Sequence, residues 1–169
     1  MDKKVELTDA DLAEPLTYTV EPFLSREYAM AERERLWARV WQMAGRVEEI
    51  PEVGDFLTYN VAEESVIIVR TGPGTLKAFY NVCPHRGRQL INTPDDTNGV
   101  RGTRKKFVCG FHGWAYDLDG RNSFVLDPQD WKGALTEQRT CLTELKVDPW
   151  AGWSYINMDP DSGSLREFL

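Results

Sequence analysis

The sequence has little of what would narrow its chemistry quickly. Only three cysteines and two histidines occur in 169 residues. Three thiols cannot all pair with one another, so a disulfide framework is a poor account of the chain's stability. No run approaches the roughly 18 apolar residues that a membrane span needs, and the longest clean stretch, Val66-Ile67-Ile68-Val69, is only strand-sized. Positive charge is also short. The 20 Lys and Arg face 27 Asp and Glu, a net charge of -7, so no overall field favours nucleic acid or an anionic membrane surface. Internal repeats and low-complexity tracts are missing. The N-terminus, Met1-Asp2-Lys3-Lys4-Val5-Glu6, lacks the apolar centre of an export signal. The expectation is therefore a cytoplasmic chain whose thiols stay reduced. With 41% hydrophobic and 28% charged residues, it has the composition of an ordinary globular protein, and its length suits one domain with its own core.

Residues 1–24 carry Pro15 and Pro22 and no sustained period, and read as an extended lead-in. Ser25 is a suitable N-cap for one helix over Arg26 to Trp37, with Glu27 in its first turn. Beyond it the chain reads as mainly β. Val40 to Ala44, Asp55 to Val61, Ser65 to Thr71, Thr75 to Val82 and Lys105 to Cys109 are strand-like, and so are Leu142 to Val147 and Trp153 to Met158. Gly54, Gly72-Pro73-Gly74, Asn98-Gly99 and Asp119-Gly120 punctuate them, and a turn is expected over Asp148 to Gly152. Ser164 to Leu169 reads as the start of a helix.

The few cysteines and histidines are not scattered. Both histidines sit beside a cysteine, in Cys83-Pro84-His85 and Cys109-Gly110-Phe111-His112. Each pair follows a strand-like run, so each should lie on a turn that projects side chains from a rigid base. Thiolate with imidazole suits zinc or iron-sulfur chemistry rather than magnesium or calcium. A structural zinc site would accept two Cys and two His, but such sites usually space one pair as Cys-x-x-Cys, whereas both pairs here are mixed. A Rieske 2Fe-2S cluster takes two thiolates on one iron and two imidazoles on the other, one of each from each loop. Two ferric irons, two sulfides and two thiolates sum to zero charge, so adding an electron is easier than in a four-thiolate cluster. That difference underlies potentials of about -150 to +300 mV rather than about -400 mV.

The motifs Cys83-Pro84-His85-Arg86-Gly87 and Cys109-Gly110-Phe111-His112-Gly113-Trp114 resemble those of the Rieske non-haem iron aromatic-ring-hydroxylating oxygenases, in the N-terminal Rieske domain of the α subunit. The resemblance extends to Phe79-Tyr80-Asn81-Val82, to Ala115-Tyr116-Asp117-Leu118-Asp119-Gly120-Arg121 and to Trp150-Ala151-Gly152-Trp153, and covers most of residues 25–169. It implies antiparallel β-sheets in a small barrel-sandwich, two cluster-binding loops and one N-terminal helix. It also implies that Cys83 and Cys109 bind one iron, that His85 and His112 bind the other, and that Trp114 shields the cluster. In that family a second, C-terminal domain holds a mononuclear non-haem iron, and the α subunits form a homotrimer or α3β3 assembly. Both histidines here are already committed, so the catalytic iron is expected beyond residue 169 and no hydroxylation is expected of these residues alone. A stand-alone Rieske-type ferredoxin is the alternative, although such ferredoxins are shorter and lack the helical lead-in. A structural zinc module is a second alternative.

Residues 86–108 separate His85 from Cys109, a longer interval than the family's, with Asn92 to Arg104 expected as a loop insertion. Arg101, Arg104, Lys105 and Lys106 put four positive charges into six residues. They form either a solvated loop or a docking patch for an electron-donor ferredoxin or reductase. Arg86 is either a surface ion-pair partner or a positive charge beside the cluster. His112 is the expected exit for the electron, and Cys141 has no expected role.

Overall fold

The structure is a computed structural model that describes residues 17–94 and 99–169. Residues 1–16, most of the expected lead-in, and Asn98 of the expected Asn98-Gly99 turn lie outside the described residues. The rest of the lead-in is not wholly extended, because Glu21–Leu24 forms one helical turn, α1, started by Pro22 near its N-terminus. Helix α2, Arg26–Glu32, begins as expected at Ser25, whose Oγ accepts from the Tyr28 N–H at 3.3 Å. The expected single helix then changes pitch. Arg33–Trp37 winds as a π turn, in which the Ala38 N–H reaches back to the Arg33 carbonyl at 3.2 Å.

Ten strands follow in two antiparallel sheets. The first sheet contains β1 (Gln42–Arg46), β2 (Asp55–Val61), β3 (Glu64–Gly72), β4 (Thr75–Tyr80), β5 (Arg101–Thr103), β9 (Glu144–Trp150) and β10 (Trp153–Asn157). Their order is β1-β10-β9-β4-β3-β2-β5. The second sheet is small, with β6 (Phe107–Val108), β7 (Ala115–Tyr116) and β8 (Asn122–Phe124) in sequence order. Short helices α3 (Glu137–Thr140) and α4 (Leu165–Phe168) complete the chain. Among the described residues, no helix is long and apolar enough to cross a membrane.

The central strand explains the apolar run. Val66, Ile67, Ile68 and Val69 are all fully buried, because both faces of β3 are covered. Val66 and Ile68 join Leu57, Ala78, Leu145 and Ile156 in one core. Ile67 and Val69 point the other way, to Phe56, Phe79 and the second sheet's Phe107 and Tyr116, and this second core also contains Cys83 and Cys109. Burying each large aliphatic side chain contributes about 1.5 to 3 kcal/mol, so the cysteine loops rise from a well-buried base.

Three expectations change. The interval Asn92 to Arg104 is not loop throughout, since β5 pairs antiparallel with β2 and gives the sheet its edge. Strand β9 starts at Glu144 and runs through Asp148 and Pro149 to Trp150, so the expected five-residue turn shrinks to Ala151-Gly152. Pro149 is tolerated because β9 pairs with β4 only at Leu145 and Glu144, so nothing in β4 needs the proline's missing N–H. Strands β7 and β8 were not anticipated.

Gly120 ties the two sheets together through its turn. Its φ is +85°, and an added Cβ would lie 2.4 Å from Cε1 of the buried Phe79. Gly120→Ala therefore combines a left-handed alanine with overpacking and is expected to cost about 3 kcal/mol. Urea unfolding measures it, and a loss below about 1 kcal/mol would contradict the packing described.

Candidate metal centre

The two loops share one backbone design. The Cys83 N–H donates to the Arg88 carbonyl at 2.8 Å, and the Gly87 N–H returns to the Cys83 carbonyl at 2.9 Å. The second loop repeats this, with Cys109 N–H to the Trp114 carbonyl at 2.8 Å and Gly113 N–H to the Cys109 carbonyl at 3.0 Å. Gly87 and Gly113 have φ of +70° and +71°, the left-handed conformation that closes each turn. An added Cβ would meet nothing at either glycine, so the need is conformational rather than steric. The shared Cys-x-x-x-Gly spacing was the sequence signal for this equivalence. Within the common frame, histidine is second after Cys83 but third after Cys109.

The frame brings all four expected ligand residues to one place. Cys83 and Cys109 are 1% and 2% exposed, both unpaired thiols. The His85 and His112 rings lie with centroids 4.7 Å apart. Trp114, 3% exposed, stacks on His85 at 4.9 Å with the rings 6° from parallel. Arg86 is exposed on the first loop and makes no ion pair among the described residues. Cys141 is half-buried and outside both loops.

Three further residues belong to the centre, none of them assigned a role by the motifs. Asn81, 1% exposed, clamps the first loop. Its Nδ2 donates to the Ile91 carbonyl at 2.7 Å and to Ser65 Oγ at 3.1 Å, while its Oδ1 accepts from the Leu90 and Ile91 N–H groups at 3.1 and 2.9 Å. Tyr116 OH lies 3.0 Å from Cys83 Sγ. Trp131 meets His85 edge-on at 5.3 Å. Asn81 and Tyr116 flank the cysteine motifs closely enough to be candidates by position, but Trp131 carries no local signal.

The electrostatics suit a metal more than a bare pocket. Burial pushes the Cys83 thiol above its ordinary range, opposed by the Tyr116 hydrogen bond. Burial, followed by the bond to Cys83, drives Tyr116 far upward, so its hydroxyl keeps a proton to donate to sulfur. Burial, then the neighbouring His112 and Arg86, hold His85 below its ordinary value, which favours the neutral form that ligates metal. His112 Nδ1 is buried and has no hydrogen-bond partner. An orphaned acceptor at that depth is costly unless something binds it. Among the described residues no three His, Cys, Asp or Glu side chains gather closely enough to hold a single ion. A Rieske two-iron cluster takes two thiolates on one iron and two imidazoles on the other, and the donor set here is two buried thiols and two adjacent imidazoles.

Comparison with known proteins agrees. The family described as the Rieske [2Fe-2S] domain matches residues 40–130, which contain both loops. The chain belongs to this family. The family's cofactor is the Rieske 2Fe-2S cluster, as the two motifs imply. The Rieske domain is similar to the biphenyl 2,3-dioxygenase α subunit of Rhodococcus jostii (strain RHA1), with 32% identity over 99% of this chain and 36% of that one. It is also similar to the oxygenase subunit of carnitine monooxygenase from Escherichia coli (strain K12), 30% identical over 82% of this chain and 35% of that subunit. Among solved structures, the apo form of a quaternary ammonium Rieske monooxygenase superposes with a TM-score of 0.77 at 26% identity, covering 89% of this chain and 42% of that one. The chain thus spans little more than a third of the curated relatives it matches.

Proposed function

We propose that this Rieske domain relays single electrons from a donor ferredoxin or reductase to a mononuclear non-haem iron in a larger oxygenase. Cys83 and Cys109 would hold one iron of the cluster, and His85 and His112 the other. The convergence of two buried thiols with two adjacent imidazoles, one of them with an unpartnered Nδ1, carries this reading. When bound, the cluster takes up and gives back one electron. The chain's own residues fix the conditions. Tyr116 donates to Cys83 sulfur, Asn81 fixes the first loop, and Trp114 covers one face of His85. His112 is the proposed exit, since its ring lies with its centroid 3.8 Å from that of the exposed Phe111.

Oxygenase relatives support this relay over a stand-alone ferredoxin. A homotrimer or α3β3 assembly is the corresponding proposal for the larger protein. Donor docking is proposed at Arg104 and Lys105 in particular. Arg101 is bonded to Glu49, and Lys106 lies 3.0 Å from Asp117, so half of the positive run is neutralised within the fold. Arg104 and Lys105 have no ion pair among the described residues.

Stopped-flow reduction by an acidic plant-type ferredoxin tests the relay. The domain is expected to accept one electron, and the double substitution Arg104→Gln with Lys105→Gln should slow reduction about threefold to tenfold at low salt, with a smaller effect at high salt. A chain that takes up no electron would overturn the relay; an unchanged rate and salt dependence would remove the docking patch alone.

A further inference from the structure

Between β8 and α3 the chain makes a strap, Asp127 to Gly133, around the single 3-10 turn Pro128–Trp131. Its two ends are unusual. Asp127 and Lys132, neither of them glycine, adopt φ of +47° and +48°, and Gly133 follows at +82°. Left-handed backbone at a residue with a Cβ costs about 1 kcal/mol or more each. Such a conformation persists only where surrounding contacts impose it. The strap pairs with no strand among the described residues, and its backbone bonds are local: Asp130 N–H to the Asp127 carbonyl, Lys132 N–H to that of Gln129, and Ala134 N–H to that of Trp131 at 2.9 Å. What anchors it inward is one side chain. The Trp131 ring lies edge-on to Trp114 at 5.5 Å and to His85 at 5.3 Å, and packs against the core that contains both cysteines.

The two histidines are consequently enclosed in different ways. His85 touches three rings, those of Trp114, Trp131 and His112. Among the aromatic rings of the described residues, His112 meets only the exposed Phe111 besides His85. Resting on the proposed cluster ligation, we infer that Trp131 is a positioning residue: it closes the box around His85, excludes water from that side of the cluster and thereby holds the reduction potential down. The sign follows from charge. The oxidised cluster with two thiolates is neutral and the reduced one carries a negative charge, which water solvates better than an indole does. Opening the box therefore favours reduction.

A graded series in the full chain tests this by spectroelectrochemical titration, with the low-temperature EPR spectrum of each reduced protein as a second readout. Trp131→Phe should raise the reduction equilibrium constant about twofold, and Trp131→Ala about fivefold to tenfold, or about 20 mV and about 40 to 60 mV at 59 mV per tenfold. The g-values should shift in the same order. Lower thermal stability with an unchanged potential would reduce Trp131 to a packing residue and overturn the inference. If Trp131→Ala fails to retain a cluster, the milder Phe variant decides, and a potential equal to the parent's overturns the inference. A parent chain that binds no cluster overturns the function reading itself, a result distinct from loaded proteins of equal potential.

Discussion

Cys109→Ser purified under the same conditions as the parent is expected to be nearly colourless and to contain less than a tenth of its iron. Cys109 is buried at the base of the second loop, within the core shared by Ile67, Phe107 and Tyr116. No other thiol replaces it among the described residues. Cys83 is itself a proposed ligand, and Cys141 lies outside both loops. Removing one thiolate leaves an incomplete donor set in a pocket where burial already disfavours free thiolate. Losing a residue that hydrogen-bonds a metal ligand typically costs 10-fold to 100-fold in metal affinity, and loss of a direct ligand should exceed that. His85→Ala, His112→Ala and Cys83→Ser should behave alike, whereas Cys141→Ser should keep the parent's iron. Full iron in Cys109→Ser, or its loss from Cys141→Ser, would contradict the ligand assignment.

Asn81→Leu is the second large effect, and it acts without touching the metal. The substitution strips partners from the Leu90 and Ile91 N–H groups and from the Ile91 carbonyl at a position only 1% exposed. Each buried group left unsatisfied costs about 1 to 3 kcal/mol, so a total of about 3 kcal/mol is expected, or a fall in Tm of about 10 °C for a chain of this size. The damage should concentrate in the first loop, because the β3–β4 pairing lies upstream of the clamp. Iron content should therefore fall further than secondary structure does. Differential scanning calorimetry with iron analysis measures both. A Tm within about 2 °C of the parent and unchanged iron would show that the loop does not depend on this clamp.

Much of this was legible in the sequence, for reasons particular to each element. Strands β2, β3, β4 and β10 are long enough, and rich enough in β-branched and aromatic residues, to show themselves, and Pro73-Gly74 marks one hairpin by turn chemistry. The convergence of the four candidate ligands was legible because cysteine and histidine are scarce and occur together. Strand β7 has two residues, and β5 and β8 have three, too short for any period to register, whereas the two-residue β6 falls inside the strand-like run Lys105 to Cys109. Strand β5 is defined by its pairing with β2, some 45 residues earlier, which local pattern cannot reveal. Pro149 hid the extension of β9, because a proline reads as a strand end unless the neighbouring strand is known to stop first. Trp131 was invisible for a related reason: its partners, His85 and Trp114, are 46 and 17 residues away and only the folded chain brings the three rings together.

Two mixed Cys-His loops are proposed to hold one two-iron cluster. Low-temperature EPR of the purified chain before and after dithionite, with iron, sulfide and zinc determined on the same sample, decides whether they do. The prediction is two irons and two sulfides per chain, an EPR-silent oxidised protein, and a reduced signal with average g below 2. A colourless protein containing one zinc and no sulfide would contradict it, and would make the four ligands a structural clamp with no electron to carry.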